Sequence, residues 1–152
     1  MASAWARAAL VVLGVVVVDQ ASKAIVVDQI PRGDRRAVLP GVELVHVRNR
    51  GIAFGLLDGR SIALTVLTVA ALALLVGYFI LHTDRPLLWL ATGLLLGGAL
   101  GNLLDRVRDD AVTDFIDLPL WPAFNVADMS ITAGVLVLLA ALEMGRESGA
   151  EP

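Results

Sequence analysis

The sequence contains no cysteine. That absence removes disulfides, thiolate nucleophiles and cysteine-ligated metals, and it leaves the chain no thiol to carry a lipid of its own. Histidine is scarce: His46 and His82 are the only two. There is no H-E-x-x-H and no G-x-S-x-G, and neither histidine lies in a polar cluster with a serine, so zinc-protease and serine-hydrolase patterns are unsupported. Charge is sparse too. Only 18% of residues are charged and the formal net charge is −3, so there is no basic field for nucleic acid.

What the chain has in abundance is apolar surface. Its 152 residues are 57% hydrophobic, with a mean hydropathy of +0.77. A soluble domain of this size has too much surface to carry that balance, and the apolar runs reach membrane-spanning length. The expected fold is an all-α membrane protein: one domain over 1–152, a bundle of four transmembrane helices with a small β-containing loop element outside the membrane.

The first helix is expected over about 5–30, ended by Pro31. It is too long, and too polar at its far end, for a cleaved signal peptide. Trp5 and Arg7 suit a membrane interface. The second helix is expected over 61–81, uncharged and roughly 30 Å long at a rise of about 1.5 Å per residue. The short link His82–Arg85 returns the chain into a third helix over 86–104, with Pro86 in its first turn. The fourth is expected over 125–143. The loop element covers 31–60, with turn signals at Gly33-Asp34 and Pro40-Gly41 and a short strand over Val42–Arg48. A second loop, over 105–124, carries an extended stretch around Val112–Ile116, stopped by Pro119 and Pro122.

Polar groups near hydrocarbon are expensive, so their presence marks a functional hypothesis. Asp19 and Lys23 are spaced i, i+4 in the favourable acid-first order, which makes a structural clamp. Gly97 and Gly101 form a G-x-x-x-G spacing that admits a close helix neighbour. Asn102, Asp105 and Arg106 share a helix face, with Asp105 and Arg106 read as an ion pair that orders the site. Asn125 and Asp128 share the first turn of the last helix, where the dipole favours a carboxylate. Asn49, Gly51 and Gly55 lie in NRGIAFG, where Ile52, Ala53, Phe54, Leu56 and Leu57 make an apolar lip. With four spans, Asp19, Asn49, Asn102, Asp114 and Asp128 converge at one membrane surface.

Asp114 and Asp128 are the candidate catalytic pair. Two facing carboxylates share one proton, because like charges in contact cannot both ionise cheaply. The ionised member takes a proton from water while the neutral one donates to a carbonyl oxygen. That hydrolyses an amide with no metal, cofactor or covalent intermediate. Carboxylate clusters also serve ion-coupled carriers, and a bundle can be a scaffold. A carrier site sits more often near the midplane, and a scaffold explains the glycines but not the clustered polar motifs. Lysine and arginine are commoner after helices 1 and 3 than at the termini, which by the positive-inside rule puts those loops in the cytoplasm.

Taken together, VVDQASK (17–23), NRGIAFG (49–55), GGALGNLLDR (97–106), VTDFID (112–117) and FNVAD (124–128) resemble the bacterial lipoprotein signal peptidase family, signal peptidase II. The resemblance covers most of the chain, with the motifs in family order. It implies an aspartyl endopeptidase that cleaves prolipoproteins before a diacylglyceryl-modified cysteine, with Asp114 and Asp128 as the dyad. Asp19, Lys23, Asn49, Gly51, Asn102, Asp105, Arg106, Asn125 and Ala127 match the family's supporting positions. The resemblance further implies a multi-pass protein of the bacterial inner membrane, with cytoplasmic termini and the site at the outer leaflet, against the charge count. Its implied partners are diacylglyceryl-prolipoproteins, membrane lipids and globomycin-type inhibitors. Ile52 and Met129 depart from the small residues usual in the family, which bears on substrate preference rather than on the reaction.

Overall fold

The computed structural model describes residues 3–50 and 60–147. Gly51, Gly55 and the expected apolar lip lie outside the described residues. Helices α1 (Ala4–Gln29), α2 (Arg60–Leu81), α3 (Leu88–Asp109) and α4 (Val126–Glu147) alternate with strands β1 (Arg35–Leu39), β2 (Val42–Asn49), β3 (Val112–Leu118) and β4 (Trp121–Phe124). Among the described residues, α1, α3 and most of α4 are long and apolar enough to cross a membrane. The described apolar part of α2, Val66–Leu81, is shorter than a span.

Helix α3 is the central element, packed most extensively against α1 and α4 and more lightly against α2. Gly97 and Gly101 explain the approach of α1. A Cβ on Gly97 would lie 2.7 Å from the Cβ of Val15, and one on Gly101 would lie 2.6 Å from Asp19 Oδ2. Only a residue without a side chain admits that contact. At the other end of the bundle, Phe79 and Leu88 are fully buried against Ala8, with Tyr78, Trp89 and Leu138 around them. The Trp5 and Phe79 rings meet at a tilt of 57° with centroids 4.7 Å apart, and the Arg7 guanidinium lies 4.8 Å over Trp89.

The boundaries of α3 differ from the sequence expectation at both ends. Pro86 is not in the first helical turn. It sits in the reversal before the helix, where Leu87 adopts a left-handed backbone (φ 60°) as the N-cap. The helix also runs past Leu104 to Asp109, so Asp105 and Arg106 are helical. The charged run DRVRD reads as loop by hydropathy, but it lies where the helix leaves hydrocarbon. Arg106 and Arg108 in the last turn complement the helix dipole. Asp110 closes α3 in the left-handed conformation, its N–H donating to Arg106 O at 3.0 Å.

The two loops are not separate elements. All four strands join one antiparallel sheet in the order β1-β2-β3-β4. The single expected strand in the first loop is a hairpin, since Arg35–Leu39 also pairs. The extended stretch ends before Pro119 as expected, but Pro122 does not end extended structure. It lies in β4, an edge strand where a missing N–H is tolerated. Across β2 and β3, Leu44 pairs with Ile116 and Val47 with Asp114. That register shift puts one extra β2 residue beside Asp114, a bulge of the kind that re-aims side chains near functional sites. Phe115 anchors the sheet to α1 by packing on Val26 and Ile30. His46 Nδ1–H adds a hydrogen bond to Ile30 O at 2.9 Å.

Candidate active site

Each carboxylate of the candidate pair comes from a different kind of element. Asp114 is on β3 and buried, at 2% exposure, whereas Asp128 is in the first turn of α4 and half-buried. Asn125, with no exposed surface, stands between them. Its Nδ2–H donates to Asp114 Oδ1 at 2.7 Å. Its Oδ1 accepts from the Asp128 N–H at 3.0 Å, while its own N–H donates to Asp128 Oδ2 at 3.3 Å. The reciprocal pair is a capping box, with Asn125 as N-cap and Asp128 three residues on. The motif that starts α4 therefore also fixes the geometry of both acids.

Two more asparagines complete the cradle. Asn49, at the end of β2, donates from Nδ2 to Asp114 Oδ2 at 2.9 Å. Asn102, on α3, donates from Nδ2 to Asp128 Oδ1 at 2.8 Å. Both oxygens of each acid thus have a donor among the described residues. Burial pushes the Asp114 carboxyl up from 3.8 to about 6. The Asn49 hydrogen bond opposes that rise, the charge of Asp128 adds to it, and Asn125 and then Lys23 oppose it.

Behind the asparagines lies a buried ion cluster. Lys23 Nζ lies 2.8 Å from Asp19 Oδ2 and 2.9 Å from Asp105 Oδ2, and it donates to Asn102 Oδ1 at 3.1 Å. Two carboxylates therefore flank one ammonium. An unpaired charge at this depth costs several kcal/mol, so the three groups depend on each other. Asp19 Oδ1 also accepts the Ala127 N–H at 2.9 Å, and Asp105 Oδ2 accepts the Thr113 N–H at 3.1 Å. The cluster thereby ties α1 and α3 to the start of α4 and to the strand that carries Asp114. Ala127 is fully buried, and a Cβ on Gly101 would meet its Cβ at 3.3 Å, so the bare face of Gly101 lets the two helices close here.

Of the residues singled out in the sequence, Asp19, Lys23, Asn49, Asn102, Asp105, Asp114, Asn125, Ala127 and Asp128 join this one network. Arg106 does not pair with Asp105 as expected: Asp105 faces inward to Lys23, while Arg106 Nη1 donates to the carbonyl of Asn102 in its own helix, at 3.4 Å. Adjacent helix positions point about 100° apart, so they cannot share one partner direction. Gly51 lies outside the described residues. Gln20 was missed: its Nε2 donates to Asp105 Oδ1 at 2.9 Å, and to Asp19 Oδ2 and Gly101 O at 3.2 Å. The signal was there, a second polar residue beside Asp19 inside an apolar run. No cluster of three or more metal-binding side chains occurs among the described residues.

The structure is that of a helical membrane protein with two carboxylates cradled by asparagines at the junction of its apolar helices and a small sheet. Comparison with known proteins makes this narrower. The sequence model of "Signal peptidase (SPase) II" matches residues 11–144. A lipoprotein signal peptidase of Moorella thermoacetica is 43% identical over 145 residues, covering 91% of this chain and 97% of the relative. One from Syntrophomonas wolfei is 44% identical over 126 residues, 82% of this chain and 85% of the relative. A bacterial membrane enzyme solved by the in meso method superposes with a TM-score of 0.82 at 36% identity, covering 89% of this chain and 91% of the other. The chain belongs to the signal peptidase II family.

Proposed function

We propose that the chain is an aspartyl endopeptidase of the bacterial inner membrane that cleaves prolipoproteins before a diacylglyceryl-modified cysteine, with Asp114 and Asp128 as its catalytic pair. Removal of signal peptides from prolipoproteins is the function its family membership supports. The observation that carries the chemistry is Asn125, one buried residue whose side chain donates to the Asp114 carboxylate and whose main-chain N–H donates to that of Asp128. It holds the two at one place while they differ in environment, which is how two like groups take different roles.

In this mechanism Asp114 is the member that carries the shared proton below about pH 6, because burial favours its neutral form. Asp128, the more accessible of the two, is the carboxylate that takes a proton from water as the water attacks the scissile carbonyl. Asp114 donates its proton to the carbonyl oxygen, giving a tetrahedral diol. Collapse of the diol returns a proton to Asp114, and Asp128 delivers its proton to the departing amine. Asn49 and Asn102 hold the outer oxygens of the pair so that neither carboxylate rotates away. Lys23, through Asn102, keeps that amide pointed at Asp128.

Depth supports a substrate presented at the bilayer boundary. Asp19 and Lys23 lie 15 and 19 residues along α1 from Ala4, or about 22 and 28 Å at 1.5 Å per residue, close to one hydrocarbon thickness of about 30 Å. A lipid-anchored peptide reaches that level by lateral diffusion, so membrane lipids are the second partner, and globomycin-type peptides are expected to bind the same place. The reading carries four spans, with α2 as the fourth, cytoplasmic termini and the site at the outer leaflet.

The test is cleavage of a diacylglyceryl-modified prolipoprotein by purified protein in detergent, beside Asp114→Asn and Asp128→Asn, with and without a chelator. Chelator-insensitive cleavage lost in both variants is expected; retained cleavage in either variant refutes the dyad. Orientation is read by labelling single cysteines at the termini and in the sheet with an impermeant maleimide, since the chain has no cysteine of its own.

A further inference from the structure

The two hairpins of the sheet end in twin turns. In the first, Leu39 pairs with Val42 across Pro40-Gly41, and Gly41 has φ 78°. In the second, Leu118 pairs with Trp121 across Pro119-Leu120, and Leu120 has φ 65°. A proline followed by a residue of positive φ is a turn that calls for glycine at its second position. The first hairpin has the glycine. The second has a leucine, held in a backbone conformation that costs a non-glycine residue on the order of 1 kcal/mol. It gains nothing from packing, because Leu120 is 105% exposed.

The tips stand side by side, since a Cβ on Gly41 would lie 3.8 Å from Pro119 Cγ. Among the strands and their turns, the exposed large apolar side chains are Val38, Leu39, Val47, Leu120 and Trp121, and all but Val47 are at this end. Leu39 is 63% exposed and Trp121 66%. Between the tips is a hollow of about 900 Å³. Its polar wall holds Arg35, which is ion-paired to both Glu43 and Asp117. Scattered exposed apolar residues are ordinary, but a cluster on a sheet outside the spans marks an interaction surface.

We propose that the paired hairpin tips are a membrane-surface anchor, with Leu120 and Trp121 seated at the headgroup boundary of the bilayer that the helices cross. Continuity with the spans selects this occupant. Strand β4 joins the tip to α4 in four residues, Trp121 to Phe124, so the tip lies within about 13 Å of the start of that helix at roughly 3.3 Å per residue. An apolar rim with a tryptophan and a self-neutralised ionic wall matches the boundary between acyl chains and headgroups, where tryptophan concentrates. Strand β3 carries Asp114 at one end and the tip at the other, so the anchor holds that carboxylate at a set height above the bilayer. This last consequence rests on the peptidase reading; the anchor itself does not.

The test uses the three tryptophans, Trp5, Trp89 and Trp121. The full chain carrying Trp5→Phe and Trp89→Phe reports from Trp121 alone after reconstitution into phosphatidylcholine–phosphatidylglycerol vesicles. Spin-labelled lipids with the label near the headgroup are expected to quench Trp121 more than lipids labelled at the chain end, with iodide in the water quenching it weakly. Adding Leu39→Asn and Leu120→Asn is expected to reduce the lipid quenching about twofold, because two of the four exposed apolar side chains at the tip are then polar. Iodide quenching equal to that of free indole, lipid quenching unchanged in the double Asn variant, or protection that rises with protein-to-lipid ratio (a second copy covering the tip) each overturns the proposal. Prolipoprotein cleavage measured on the same vesicles separates the two readings: lost activity with intact quenching refutes the peptidase assignment and leaves the anchor standing.

Discussion

Asp114 makes the protein's stability depend on pH in a way that a single substitution isolates. Its carboxyl rises from 3.8 to about 6, chiefly through burial, a shift that corresponds to roughly 3 kcal/mol. The sign follows from linkage. The native state holds this proton more tightly than the unfolded chain, so below pH 3.8 both states are protonated and the group contributes no difference. Between 3.8 and about 6 the unfolded chain has ionised and the native state has not, so stability falls as pH rises. Above about 6 both have ionised and the full penalty of roughly 3 kcal/mol is in place.

Asp114→Asn removes that titration. It also removes one acceptor, since an amide presents a single oxygen to the Asn49 and Asn125 donors, at a cost of about 1 kcal/mol that does not vary with pH. Unfolding in detergent, followed by tryptophan fluorescence from acid to neutral pH, therefore reads the difference between wild type and variant. Its expected change is roughly 3 kcal/mol in the variant's favour across the window, on top of a constant offset. A difference that stays flat from pH 3.8 to 6 refutes the reasoning, because a buried carboxylate that titrates normally does not hold the shared proton. The same assignment gives cleavage an alkaline limb. kcat/KM is expected to fall about tenfold per pH unit once Asp114 has lost its proton, and a rate constant through pH 8 removes Asp114 from the acid role.

Three further changes probe the scaffold around the pair. Lys23→Met leaves Asp19 and Asp105 facing each other without a cation, and is expected to destabilise the protein by about 3–5 kcal/mol in detergent unfolding; a loss under about 1 kcal/mol would mean that the cluster is solvated. Asn125→Ala removes the α4 cap and the bridge together. About 1–2 kcal/mol of stability and at least tenfold in kcat, with KM little changed, are the expected losses in paired unfolding and cleavage assays. Gly101→Ala drives a methyl to 2.6 Å from Asp19 Oδ2, and a destabilisation of about 1–3 kcal/mol is expected, with Gly14→Ala, which meets nothing within 4 Å, as the control that shows the helix-propensity gain alone.

Local features of the chain carried much of this without coordinates. Apolar runs of spanning length place helices in a membrane because hydrocarbon excludes unpaired polar groups. The i, i+4 spacing of Asp19 and Lys23 specifies their contact because one helix turn sets it. The i, i+3 spacing of Asn125 and Asp128 likewise specifies a shared first turn. The two candidate acids are visible because carboxylates are rare so near hydrocarbon. Hydropathy misplaces the C-terminal end of α3, since a helix leaving the membrane turns polar before it stops being a helix, and the first-turn preference of proline misplaces the other, where Pro86 stands in the reversal before the helix.

What the tertiary structure alone decided are contacts between residues far apart in the chain. Asn49 reaches Asp114 across 65 positions, Lys23 reaches Asn102 across 79, and the Ala127 N–H donates to Asp19 across 108. No spacing rule links such pairs. The join of two loops into one sheet, the choice of Lys23 over the neighbouring Arg106 as the partner of Asp105, and the meeting of the twin turns at Gly41 and Pro119 follow from how α1, α3 and α4 pack. Residue types made each of these groups able to bond, and the packing of three helices and one sheet chose which of them do.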